Sequence, residues 1–292
     1  MDIRQVQYFL AVVETGTVHA AADRLFVAQP SVSQALRRLE QDLGSELFRR
    51  TGRRLVLTAA GRALVEPARD LVRARDAARA TVEAVDGLRG GRLLLSSMPS
   101  QAVSPLPSLV AAFRGTHPGV EIGVATATGP DEVCAAVREG EAEVGLLATS
   151  NGPLRESGLR TEPLFVQGFV VVTGDPGVLP ADDRALRPED LRDLDLIVGQ
   201  RGTGMRRVAE TILSVTDCRV AVQIEQREAL LPLVLAGLGV AVVADSWRGL
   251  AESAGLTARP LEIDENLHTA LVLHPRRTSP AAEEFARIAT DR

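Results

Sequence analysis

Apolar residues recur along the first sixty positions with helical spacing. Val6, Phe9, Leu10 and Val13 stand at i, i+3, i+4 and i+7, which predicts an amphipathic helix over 3–14. Gly16 suits its stop, and Thr17 suits the cap of a second helix carrying Val18, Ala21, Ala22 and Leu25 at the same spacing. After a short turn at Phe26-Val27-Ala28, a third helix places Val32, Leu36, Leu39 and Leu43 on one face. Pro30 fits its first turn, and Ser31-x-x-Gln34 can also be read as a capping box. Ser33, Gln34, Arg37 and Gln41 fall on the opposite face, which carries no carboxylate, and Arg38 stands at its margin. The segment 47–57 then predicts two short strands around a tight turn crowded by Arg49, Arg50, Arg53 and Arg54.

From Thr58 a long helix is expected to run to about Val85. Leu64, Ala68, Leu71, Arg75, Ala78, Val82 and Val85 form a heptad seam that Arg75 interrupts once. Pro67 conflicts locally with that helix. The seam allows packing on the helix's own domain, but its length favours pairing with a second chain. Beyond Arg92, short apolar runs at 93–97, 120–125, 143–148, 169–173, 195–198, 220–224 and 269–273 alternate with helical patterns near 105–115, 131–139, 204–214, 229–238 and 279–290. That alternation predicts an α/β region with mostly parallel sheet.

Composition adds less than its distribution does. The chain has 292 residues, 45% apolar and 24% charged, which is enough for two domains. No apolar run reaches the length of a membrane span, and the first residues lack the plan of a signal peptide, so a cytoplasmic protein is expected. All 33 basic residues are arginine, a bias that fits a GC-rich coding background. The net charge of −5 conceals an asymmetry: residues 1–92 carry 15 Arg against 11 acidic residues, and residues 93–292 carry 18 against 27. A basic front and an acidic remainder suit a chain of which one end meets an anionic partner.

These features converge on a family. Gln5-Val6-Gln7-Tyr8-Phe9, Ala20-Ala21-Ala22-Asp23-Arg24-Leu25, Val27-Ala28-Gln29-Pro30-Ser31-Val32-Ser33, Leu39-Glu40-Gln41-Asp42-Leu43-Gly44, Leu47-Phe48-Arg49-Arg50 and Leu57-Thr58-x-Ala60-Gly61 stand in order and at the right spacing. Together they closely resemble the DNA-binding domain of LysR-type transcriptional regulators. The resemblance continues more loosely to residue 275 through Leu106-Pro107-x-Leu109, His117-Pro118-x-Val120, Gly140-Glu141-Ala142-Glu143-Val144-Gly145 and Leu233-Val234-x-Ala236-Gly237-Leu238-Gly239. It departs at Val242-Val243-Ala244-Asp245-Ser246-Trp247, where family members often carry a proline.

The resemblance implies an N-terminal winged helix-turn-helix over 1–58 and a dimerising linker helix over 59–89. It further implies an α/β effector domain over 90–292, built of two subdomains like type II periplasmic solute-binding proteins. The first subdomain would comprise 90–163 and 268–292, the second 164–267. The third helix would enter the major groove with Gln29, Pro30, Ser31, Ser33, Gln34 and Arg37, and the wing would place Arg50, Arg53 and Arg54 on the backbone; Arg38, at the margin of the helix face, is placed to reach phosphate. The implied partners are double-stranded DNA carrying an interrupted inverted repeat, a second copy of the chain in a dimer or tetramer, RNA polymerase and a small-molecule effector. No cofactor or metal is expected.

Ligands of open α/β sheets sit beyond the carboxyl ends of strands. In the implied cleft that rule nominates Ser97, Met98, Pro99, Ser100, Thr126, Thr128, Thr149, Gln200, Arg201 and Thr203. Hydroxyls and free N–H groups at helix starts suit a small carboxylate, with Arg201 or Arg206 as its partner, although ordinary capping accounts for many of the same hydroxyls.

Other functions find less support. The chain has no Gly-x-Ser-x-Gly elbow, Gly202-x-Gly204 lacks a third glycine, and His19, His117, His268 and His274 are scattered, so no enzyme is expected. A non-catalytic solute-binding protein would not need the basic front end. Cys134 and Cys218 leave open a redox-sensing regulator, but they fall in different expected subdomains and read better as buried, inert thiols.

Overall fold

A computed structural model describes residues 1–51, 54–85, 90–150 and 152–291, with the backbone alone at 50, 51, 54, 77 and 79–85. The chain divides into two units, Met1–Val85 and Asp86–Arg292.

The first unit contains α1 (Ile3–Thr15), α2 (Val18–Arg24), α3 (Gln29–Leu43), a hairpin of β1 (Phe48–Thr51) and β2 (Arg54–Leu57), and α4 (Ala59–Val85). Asp2 and Gln5 form a capping box on α1, and Gly16 closes that helix with φ 74°. The Thr17 side chain accepts from the Ala20 N–H at 3.1 Å and so caps α2. The capping box considered at Ser31 does not form: α3 begins at Gln29, with Ala28 as a cap without a side-chain bond and Pro30 in the first turn. Phe26, in the turn between α2 and α3, takes φ 52° and lies almost wholly in solvent. Val6, Phe9, Val12, Ala21, Ala22, Val32, Leu36, Leu39 and Leu47 are buried together. Each large side chain there contributes about 1.5–3 kcal/mol relative to exposure. Leu43, expected on that inner face, is 40% exposed at the end of the helix.

The seam of α4 changes partner along its length. Leu64 and Ala68 pack into the core of their own unit, with Ala68 fully buried. Leu71, Arg75 and Ala78 are exposed one and more turns later. Packing on its own domain therefore holds for the first turns of the helix. The side chains of Val82 and Val85 and the expected hinge residue Gly87 lie outside the described residues.

The second unit holds two five-stranded sheets. The first comprises β3 (Arg92–Ser97), β4 (Glu121–Thr126), β5 (Val144–Thr149), β6 (Arg160–Gln167) and β12 (Leu267–Leu273), in the order β4-β3-β5-β12-β6. The second comprises β7 (Phe169–Thr173), β8 (Asp195–Val198), β9 (Arg219–Gln223), β10 (Val240–Ala244) and β11 (Thr257–Leu261), in the order β11-β7-β10-β8-β9. The covering helices are α5 (Pro99–Val103), α6 (Leu106–Thr116), α7 (Pro130–Glu139), α8 (Gly204–Val215), α9 (Leu230–Leu235), α10 (Arg248–Ser253) and α11 (Pro280–Thr290).

Both sheets follow one plan. In the first, β3 runs parallel to β4 and β5, and β12 runs antiparallel to β5 and β6. In the second, β8 runs parallel to β9 and β10, and β7 runs antiparallel to β10 and β11. The sheets are thus mixed, which corrects the expectation of mostly parallel pairing. The antiparallel half comes from β12 beside β5 and β6 and from β7 beside β10 and β11; of these, β6, β10 and β11 are not marked by the apolar runs. Gly237 (φ 76°) stops α9 early, and Gly239 then turns the chain into β10 at φ 139°. A Cβ at Gly239 would stand 2.3 Å from the Asp195 carbonyl oxygen, so this approach of β10 to β8 admits no side chain.

The chain passes between sheets at Gly168 and returns through 262–266. The divisions expected at 163/164 and 267/268 shift because β6 stays paired with β12 up to Gln167↔Leu267. Gln167 ties the crossing. Its Nε2 donates to Thr269 Oγ1 at 3.2 Å, and its Oε1 accepts from the Ser246 N–H at 2.8 Å.

Candidate nucleic-acid interface and ligand cleft

On α3, burial of Val32, Leu36 and Leu39 leaves Gln29, Pro30, Ser31, Gln34, Arg37 and Arg38 exposed and Ser33 half-buried. The helix carries two carboxylates, and both are engaged. Glu40 turns inward, where its Oε1 accepts from the Leu47 N–H at 2.8 Å and so holds the entry to β1. Asp42 pairs with the N-terminal ammonium at 2.6 Å. Arg37 and Arg38 have no ion-pair partner among the described residues. The surface therefore combines amide, hydroxyl and guanidinium donors without a competing acid, which is the equipment for base edges and phosphates in a major groove.

In the hairpin, Arg49 is exposed beside the Arg50↔Leu55 and Thr51↔Arg54 pairs of the ladder. Of the three expected wing contacts, Arg53 lies outside the described residues, and so do the side chains of Arg50 and Arg54.

A second candidate site lies in the effector unit, where the two sheets turn the carboxyl ends of their parallel strands toward one cleft of about 340 Å³. Met98 follows β3, Thr128 follows β4, Thr149 ends β5, Thr203 follows β8 and Arg227 follows β9, and all five line the cleft. Its volume is at the small end of the range for small-molecule sites, about 300–1,000 Å³.

The ten expected effector residues divide. Met98, Thr128, Thr149 and Thr203 are brought together in the lining, whereas Ser97, Pro99, Ser100, Thr126, Gln200 and Arg201 are not part of it. Ser97 is buried and donates to the Met98 carbonyl at 3.1 Å. Ser100 is buried behind the lining. Pro99 is half-buried in the first turn of α5, and Thr126, Gln200 and Arg201 are exposed.

Local hydrogen bonds engage the three threonine hydroxyls of the lining. The Thr128 N–H donates to Glu132 Oε2 at 2.6 Å and the Thr128 hydroxyl donates to the same oxygen at 2.7 Å, and together they hold the Glu132 carboxyl below its ordinary pKa. Thr149 donates to the Gly152 carbonyl at 2.6 Å, and Thr203 caps α8 by accepting from the Arg206 N–H at 3.3 Å. Arg206 itself is structural, because its guanidinium bonds Glu210 at 2.9 Å and Gln223 at 3.3 Å.

The positive charge of the cleft comes from residues the sequence did not single out. Arg155, Arg207 and Arg227 line it against the single carboxylate of Asp131. Arg227 stands beyond the carboxyl end of the strand at 220–224, where the topology of an open α/β sheet also places ligand contacts.

The two cysteines stand apart. Cys134 is buried in α7, where desolvation and Glu156 push its thiol pKa up. Cys218 packs against the core of the second sheet, and its Sγ donates to the Leu191 carbonyl at 2.6 Å. Among the described residues no cluster of His, Cys, Asp and Glu could hold a metal ion. No described helix is long and apolar enough to cross a membrane.

Known proteins match both units. The family model for the bacterial regulatory helix-turn-helix protein, lysR family, matches residues 3–62, and that for the LysR substrate binding domain matches residues 86–292. The HTH-type transcriptional regulator IlvR of Caulobacter vibrioides is 33% identical over all of this chain and 98% of its own length. The regulator CbbR of Rhizobium meliloti is 31% identical, over 84% of this chain and 77% of its own. Among solved structures, a full-length single-residue variant of OxyR from Pseudomonas aeruginosa superposes with a TM-score of 0.69 at 22% identity, covering 99% of this chain and 97% of its own. Full-length CbnR in complex with its target DNA gives 0.64 at 25% identity, covering 99% of this chain and all of its own.

Proposed function

The chain belongs to the LysR family of bacterial transcriptional regulators, and from that premise we propose that it reads duplex DNA through α3 and answers to a small carboxylate in the cleft. The observation that carries the DNA half is the outer face of α3, where Arg37 and Arg38 have no ion-pair partner among the described residues and Glu40 is turned inward. Gln34 and Arg37 are the base-reading candidates, and Gln29, Ser31, Ser33 and Arg38 are placed for the backbone. Pro30 shapes the first turn. Arg50, Arg53 and Arg54 carry the wing. A relative, CbnR, is known as a complex with its target DNA.

Two copies acting together would read an interrupted inverted repeat. Exposed apolar positions support self-association: Leu71 on α4, and Val124 and Val220 on the edge strands β4 and β9. A dimer or tetramer acting in the cytoplasm on RNA polymerase completes the reading. A small carboxylate is supported by three arginines lining a cleft with one acid. The buried Cys134, with its raised thiol pKa, and Cys218, which packs against a different core, do not favour redox sensing.

Gel-shift competition tests the DNA half. The protein should retain a fragment from its own promoter region against excess bulk DNA at moderate salt. Equal displacement by both DNAs would contradict the reading.

A further inference from the structure

Two arginines in the described chain are buried, each 4% exposed, and their surroundings differ. Arg206 has a carboxylate at 2.9 Å and an amide oxygen at 3.3 Å. Arg227 has neither. Among the described residues its one hydrogen-bond partner is the Ser100 hydroxyl, which accepts from Nη1 at 2.6 Å. Burial lowers the guanidinium pKa, against a smaller opposing influence from Glu228, which acts through space.

A desolvated cation with a neutral partner is unfavourable for the fold, so stability alone gives no reason for keeping it. Its place gives one. Arg227 lines the cleft, and its remaining nitrogens are not sealed within protein. A guanidinium offers five N–H donors in a planar fork, and Ser100 engages one nitrogen of it. The rest match a carboxylate held by two parallel bonds.

The contact also joins the two halves of the unit. Arg227 follows β9 of the second sheet, whereas Ser100 lies in α5, after β3 of the first. The Ser100 carbonyl is held in turn by Trp247 Nε1 at 3.1 Å, from the second sheet. Arg155 and Arg207 add positive charge to the lining, although Arg207 is shared with Glu265 at 3.6 Å.

Resting on the reading that this cleft is the effector site, we infer that Arg227 is its anion anchor: it takes the carboxylate of a small organic acid, and Ser100 positions the guanidinium across the two subdomains. The effector is thus an acid whose charge is required for binding, and it enters a contact that already links both sheets.

Titration calorimetry and thermal melts on the full-length protein test this. The probes are acetate, pyruvate, isobutyrate, succinate and glutarate, each beside its amide. At least one acid should bind saturably, and its amide should bind about tenfold or more weakly. Arg227→Met should weaken the acid by a similar factor, and without ligand it should melt no lower than the parent, since an uncompensated cation is removed. Arg227→Lys, which keeps charge but not the fork, should bind the acid more weakly than the parent and covers the case in which Arg227→Met does not fold. Acid and amide binding alike, undiminished binding by both variants, or a ligand-free Arg227→Met that folds but melts well below the parent would overturn the anchor. So would the absence of binding by every acid. A gel shift on the same preparation separates the two readings: promoter binding without acid binding removes the anchor alone, whereas loss of promoter preference counts against the regulator itself.

Discussion

On the proposed function the outer face of α3 and the lining of the cleft both serve recognition, yet they are built in opposite ways. The α3 face is continuous in sequence and exposed, and its arginines have no ion-pair partner among the described residues. Its acids are removed locally, Glu40 by the Leu47 N–H and Asp42 by the N-terminus. The cleft gathers residues that follow β3, β4, β5, β8 and β9, and its central cation is buried against a hydroxyl. A surface that meets a polyanion can leave its charges in water, where they cost little. A site for one small molecule must desolvate its charge in advance and depends on the whole core to do so.

That contrast can be broken first at Trp247. It is 1% exposed and joins the second core to Ser100. Trp247→Ala should destabilise the effector unit by about 3–5 kcal/mol, seen in calorimetry as a shift of that unit's transition. Phe9 and its neighbours form a separate core and should melt as before. A shift of under about 1 kcal/mol would show that α5 is not held from the second sheet.

Arg37→Ala follows. It should weaken the preferred site by about 1–3 kcal/mol and relax preference at one base pair, as measured by competition with single-base variants. Unchanged preference would remove Arg37 from the base-reading set. A smaller and different effect is expected at Arg53. Arg53→Ala should weaken all sequences alike and reduce the salt slope by about one unit. A loss confined to one sequence would contradict a wing on the backbone.

The smallest effect concerns acid stability. Arg184 bonds Asp190 at 2.6 Å through both nitrogens and, with the Arg187 N–H, pulls the Asp190 pKa down to about 2. Because the folded pKa lies below the unfolded one, the contribution is present above about pH 4 and fades as pH falls toward 2. Arg184 is 44% exposed, so solvent screening keeps the gain small. Denaturant titrations of Asp190→Asn should show that small deficit at pH 7 and its disappearance near pH 2. A deficit that persists there would assign the effect to packing.

Legibility in sequence follows the same divide. Helical periodicity placed Val32, Leu36 and Leu39 inward, and the opposite face followed from geometry. The Leu64 and Ala68 stretch of α4 was harder, because the same apolar stripe serves either a neighbouring domain or a second chain. In the effector unit, strands bounded by turns were readable, but β6 alternates weakly, and β10 follows a helix that glycine shortens. The cleft was half legible. Residues after strands are nominated by topology, and Met98, Thr128, Thr149 and Thr203 line it. Arg227 reads in sequence as one more surface arginine between Gln226 and Glu228. Its burial depends on α5 and Trp247, more than a hundred residues away in one case, and no local pattern reports that.

On the proposed function, sequence reading resides on the α3 face and is specific. Equilibrium binding of the full-length protein to its own promoter fragment and to the same fragment with the inverted repeat scrambled, at about 0.15 M salt, tests it most directly. The intact repeat should bind about a thousandfold or more tightly, and binding to the scrambled fragment should fall steeply with salt. Equal affinities with equal salt slopes would contradict it.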